Sequence, residues 1–192
     1  MEIKMNNNES EHKKKEQRMN KTTLSNLMGD TPPSAIDSER CILGSILIDP
    51  SIFSDIYWSY FVPDAFFCPS HRAIFCEMVI LSKREGTLDL VVLQKELESK
   101  GILEAIGGVD KLIDLAQANP SGSQVKEHAM RLMDSYARRQ AIGFAGDLLS
   151  ASMSEELDIT TTLEEITAKI DKLIYDDCDF TTFLNICQGR KK

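Results

Sequence analysis

The stretch PPSAIDSERCILGSILIDP, residues 32–50, decides the fold. Prolines close both ends. Between them Ile36, Leu43 and Leu47 recur on one helical face, with Ile42 and Ile46 beside them. Ser34, with Asp37 three residues on, predicts an N-cap of capping-box type, the shorter Asp replacing Glu. Asp49–Pro50 predicts the stop, because a proline disfavours helical geometry at the residue before it. Gly44 is the anomaly, since a glycine inside a helix costs roughly 1 kcal/mol against alanine. On a helix that is apolar over so wide an arc, the missing side chain predicts close approach: a neighbouring helix packs against the backbone at Gly44.

Outward from this helix the same period continues. The runs SIFSDIYWSYF (51–61), SHRAIFCEMVILSKREG (70–86), DLVVLQKELESKG (89–101) and VDKLIDLAQAN (109–119) carry apolar residues at three- and four-residue spacing. Gly86, Gly101, Gly107 and Gly108 fall at helix ends, where a left-handed cap is wanted. LDLVVL would suit a buried strand, but it runs directly into QKELESKG with helical period, and no strand alternation stands out. The pattern predicts an all-α fold, a compact bundle of short helices over residues 32–120 followed by a long helical hairpin over 121–176.

The hairpin reads as one helix from about Ser121 to Met153, a break at SEELDI, and a second helix from about Thr162 to Tyr175. In the second helix Leu163, Ile166, Ile170 and Leu173 keep a heptad a/d spacing. The first carries two stripes. Ala129, Leu132 and Tyr136 make one; Met130, Met133, Ala137, Phe144 and Leu148 make the other. One partner helix covers one stripe, so two stripes predict a second partner: the hairpin projects and docks onto another chain, the alternative being that both stripes pack on the bundle of residues 32–119. The candidate interface residues are Leu132, Met133, Tyr136, Phe144, Leu148, Ile166, Ile170 and Leu173. Residues 1–31 are polar and without hydrophobic period, which predicts a disordered tail. Its Lys13–Lys15 cluster reads as solvated charge or as a weak nucleic-acid tether. Residues 177–192 read as a linker helix or tail, with Phe180, Phe183 and Leu184 on one helical face.

Composition narrows the function by exclusion. The 192 residues have room for one domain and an appendage, or for two very small domains, and 42% of them are hydrophobic. The net charge of -8 and pI near 5.0 argue against strong direct DNA binding, which draws its affinity from Lys and Arg meeting phosphates. The five cysteines, Cys41, Cys68, Cys76, Cys178 and Cys187, form no C-x-x-C pair, which argues against a zinc site. Their odd number and the polar N-terminus point to reduced thiols in a cytoplasmic protein. No apolar run reaches membrane-spanning length. No G-x-x-x-x-G-K-[ST], H-E-x-x-H or G-x-S-x-G motif occurs. His71, in CPSHRAIF, falls in the first turn of a helix, and no nucleophile or carboxylate partner is evident for it. It reads as structural. No catalytic, cofactor-binding or metal-binding residue is expected, and a helical enzyme of another kind finds no supporting constellation.

The order of motifs resembles the N-terminal domain of DnaB-type replicative DNA helicases. SERCILGSILID (38–49) is similar to that family's E-x-x-x-L-G helix, with Glu39, Leu43 and Gly44 in place. FFCPSHRAIFCEM (66–78) resembles F-Y-x-x-x-H-R-x-I-F, with Phe67 for the Tyr. LDLVVLQKEL (88–97) resembles I-D-x-x-T-L. IGGVDKLIDL (106–115) resembles G-G-x-x-Y-L-x-x-L, with Lys111 for an aromatic. NPSGSQVKEHAMRL (119–132) resembles the entry to the hairpin, with His128 where Tyr is usual. Each motif is weak alone; five in order across residues 33–140 are specific. The resemblance implies a collar domain whose hairpins pair into dimers, and dimers into a trimer of dimers, on a hexameric helicase. It implies docking of primase and, in some systems, of a helicase loader. ATP and Mg would belong to a separate ATPase domain that the chain lacks. The alternative is a stand-alone protein on the same fold that binds a full-length helicase and loads or inhibits it.

Overall fold

The computed structural model describes residues 31–54, 61–84, 88–118, 122–154 and 158–175. Six α-helices lie among them: α1 (Ile36–Ile48), α2 (Pro69–Ser82), α3 (Leu90–Ser99), α4 (Gly108–Gln117), α5 (Gly122–Ser152) and α6 (Ile159–Tyr175). Single 3-10 turns occupy Pro50–Ser54, Pro63–Ala65 and Glu104–Ile106. The described residues contain no strand, and the protein is all-α. The expectations for residues 1–30, for the second half of the 51–61 run, for Gly86 and for residues 176–192 lie outside the described residues.

Gly44 sits where α1 crosses α4. A Cβ built on it would fall far inside van der Waals contact distance of the Leu115 carbonyl oxygen, 3.3 Å from the Leu115 carbonyl carbon and 3.5 Å from that of Ala118. The close approach read from the sequence is therefore present, and the obstacle is main chain. Alongside it, Arg40 Nη2 donates to Asp114 Oδ1 at 2.7 Å, joining the same two helices.

The ends of the helices follow local chemistry, with one correction. Asp89 caps α3 by accepting from the Val92 amide at 2.7 Å. Behind α3, Gly101 takes φ 68°. The Gly101 amide bonds the Glu98 carbonyl at 2.9 Å and the Ile102 amide bonds the Leu97 carbonyl at 3.1 Å, the paired bonds of a Schellman end. Gly107 and Gly108 are also left-handed. Ser34, in contrast, is not the cap of α1. The N-cap is Ala35, no side chain bonds the first turn, and the expected capping box does not form. Asp37 and Glu39 still place negative charge in that turn, where the helix dipole favours it.

Packing divides the described residues into two units, 34–138 with 170–175, and 139–169 with 31–33. The division falls inside α5 and not at the 120/121 join read from the sequence. The reason is that α5 is continuous, and its first turns belong to the core of the bundle. That core is built from Ile42, Leu43 and Ile46 of α1, Ile74, Phe75 and Met78 of α2, Leu93 and Leu97 of α3, and Leu112 and Leu115 of α4, with the Phe66 ring tilted at 32° against Phe75 at a centroid distance of 4.6 Å. Val125, Ala129, Leu132 and Met133 of α5 complete it.

The second unit holds the distal part of α5 and most of α6. Lys169 Nζ of α6 reaches Asp147 Oδ2 of α5 at 3.3 Å. α6 begins at Ile159, three residues before the Thr162 start expected from its periodicity. Asp158 explains the difference. Its carboxylate accepts from the Thr160 amide at 3.1 Å, the Thr161 amide at 3.3 Å and the Thr161 hydroxyl at 2.6 Å, so an N-cap draws the β-branched Thr160–Thr162 run into the helix.

Candidate interaction surface

Two arrangements on the chain have functional potential: a buried polar centre in the bundle and an open apolar face on the hairpin. The polar centre forms where α1 meets the start of α2. Glu39 lies one turn before Ile42 and Leu43, on the buried side of α1, and is 0% exposed. Its Oε1 accepts from the Phe67 amide at 2.7 Å, and its Oε2 accepts from the Cys68 amide at 3.2 Å. The His71 Nδ1 is 2.8 Å from the same Oε2. With Glu39 ionised, that nitrogen carries the proton and donates. A buried charge is tolerated only when it is paired and hydrogen-bonded, and three donors meet that condition.

This geometry corrects the sequence reading of His71, which found no carboxylate partner. The partner is Glu39, 32 positions earlier. A charged residue inside an otherwise apolar arc was the signal that could have found it. The arrangement is nonetheless structural. His71 is itself 0% exposed, and its Nε2 has no hydrogen-bond partner among the described residues. The Cys68 thiol therefore does not engage that nitrogen, and no thiol–imidazole dyad exists. Burial pushes the Cys68 thiol up, but hydrogen bonds from the Ser70 hydroxyl and the His71 and Ser70 amides outweigh it and hold the thiol below its ordinary value. Burial raises the thiols of Cys41 and Cys76. Among the described residues no group of three His, Cys, Asp or Glu side chains could hold a metal ion.

Further polar ties lock the helices of the bundle to each other. Lys100 Nζ places both Glu77 carboxylate oxygens at 2.7 Å. Ser38 Oγ of α1 lies 3.1 Å from His128 Nδ1 of α5. That last bond fixes the root of the long helix on the bundle.

The sequence-predicted interface residues separate into two groups. Leu132 and Met133 are 0% and 2% exposed in the bundle core, and Tyr136 is half-buried against it. For the start of α5 the second partner is the chain's own bundle, so Leu132 and Met133 are not on an open stripe. The physical reason is that Val125, Ala129, Leu132 and Met133 join the buried core of the bundle. The other residues lie beyond. Phe144 is half-buried, and Leu148 is exposed. On α6 Ile166 is buried, Leu173 is half-buried and Ile170 is exposed. Ile159, Leu163, Ile166, Ile170 and Leu173 follow one another at four- and three-residue steps and share a face. Ile159, Leu163 and Ile170 are 39%, 47% and 38% exposed, so three of the five positions on that face are open. Met153 and Ile159 at the turn are also exposed. The apolar period alone misses Ile159, because it starts the helix at Thr162.

A family model described as the DnaB-like helicase N terminal domain matches residues 31–134. This chain belongs to that family. Replicative DNA helicase DnaB of Synechocystis sp. is 34% identical over 142 residues, which is 74% of this chain and 16% of the relative. Replicative DNA helicase DnaB of Geobacillus stearothermophilus is 31% identical over 142 residues, 72% of this chain and 30% of the relative. Replicative DNA helicase DnaC of Bacillus subtilis is 28% identical over 143 residues, with 31% of the relative covered. The chain thus spans less than a third of the length of these relatives. The crystal structure of the N-terminal domain of DnaB helicase from Mycobacterium tuberculosis superposes with a TM-score of 0.65 at 20% identity, covering 73% of this chain and 98% of that one, so the fold is shared. The DnaB-like motifs now have physical roles. Glu39 of the first and His71 of the second bond to each other, and Gly44 admits the backbone of α4.

Proposed function

We propose that this DnaB-like N-terminal domain is an assembly and docking module of DNA replication. It pairs with a second copy through the hairpin, takes a place in the collar of a hexameric replicative helicase, and presents that collar to primase and to a helicase loader. The observation that carries this is the set of exposed apolar positions Ile159, Leu163 and Ile170 on α6, in a two-helix unit where the buried apolar residues among those described are Ala151 and Ile166. A hairpin with so little interior hides its apolar face against a further partner. Membership of a family whose named relatives are replicative helicases makes a copy of the same domain the natural occupant. On this reading the chain hydrolyses no ATP. Nucleotide and Mg belong to an ATPase domain on the same ring, and the module works in the cytoplasm beside the replication fork. Among the described residues no helix is long and apolar enough to cross a membrane. The net charge of -8 agrees with a role away from the DNA backbone.

Isothermal titration of the purified chain with the primase of the same source, and separately with single-stranded DNA, tests the docking role. Saturable heat with primase and none with DNA at moderate salt is the expected outcome. Salt-sensitive DNA binding without any primase binding would overturn it.

A further inference from the structure

We draw no further inference here: the strongest candidate, the half-buried Cys68 thiol at the N-terminus of α2 beside the buried Glu39–His71 pair, is a single cysteine at a helix end, and nothing in the structure points to a ligand or reactant that it would take.

Discussion

At the scale of single residues, two positions hold the bundle by opposite means, one by a charge and one by the lack of a side chain. Glu39 is a carboxylate wholly removed from water and satisfied by two amides and an imidazole. Removing the carboxylate leaves two amides and an imidazole N–H buried without an acceptor, and each such orphaned donor costs about 1–3 kcal/mol. Domain stabilities are only about 5–15 kcal/mol, so Glu39→Ala should forfeit a large part of the total. Glu39→Gln keeps the shape and one acceptor and should lose less. Urea midpoints rank the three proteins, and an alanine variant as stable as the parent would show that the three donors find other acceptors. Gly44 is the converse case. Alanine there gains about 1 kcal/mol of helix propensity, but its Cβ meets the Leu115 carbonyl, which cannot rotate aside as a side chain would. Overpacking a core costs about 1–3 kcal/mol. The melting temperature of Gly44→Ala should therefore fall, and that of Gly44→Leu should fall further. A stabilised alanine variant would mean that α1 and α4 separate at no cost.

At the scale of the element, helix ends show how far local sequence decides. The left-handed glycine after α3 is a signal carried by adjacent residues and is legible in the amino-acid order alone. The start of α1 is not, because Ser34 and Asp37 have the right types but the helix begins one residue beyond their reach. α6 differs again: its apolar period suggests Thr162, whereas the Asp158 cap carries the helix back to Ile159. Hydrogen bonds from the Thr161 hydroxyl and from the Thr160 and Thr161 amides hold the Asp158 carboxyl below its ordinary value of 3.8. A carboxyl depressed in the folded state contributes stability that is present above its unfolded pKa and fades as the pH falls through the folded one. The first turn of α6 should consequently loosen on the acid side of that ordinary value. Amide resonances of Thr160 and Thr161 should report it by moving together with acidification. In Asp158→Asn, which caps without titrating, they should stay in place. A matching acid shift in the asparagine variant would assign the loosening to another group.

At the scale of the whole molecule, the all-α class was legible in the helical apolar period and the family in five weak motifs in order. The contact between motifs was not. Glu39 and His71 are 32 positions apart, and periodicity along a chain carries no record of which helix faces which. The same limit explains Leu132 and Met133. An apolar stripe states that something covers it, but only the packed bundle shows that the cover is the chain itself. What remains uncovered is the α6 face around Leu163, and the proposed assembly rests on it. Leu132 and Leu163 thus make opposite demands on a glutamate, although both sit in apolar stripes of the same hairpin. Sedimentation velocity with far-ultraviolet circular dichroism, run on the parent chain, Leu163→Glu and Leu132→Glu, tests this most directly. The parent should sediment as a multimer. Leu163→Glu should fall to lower mass with its helicity kept. Leu132→Glu should lose cooperative unfolding, because it buries an unpaired carboxylate in the bundle. A parent chain that stays monomeric at high micromolar concentration, or a Leu163→Glu variant of unchanged mass, would contradict the account.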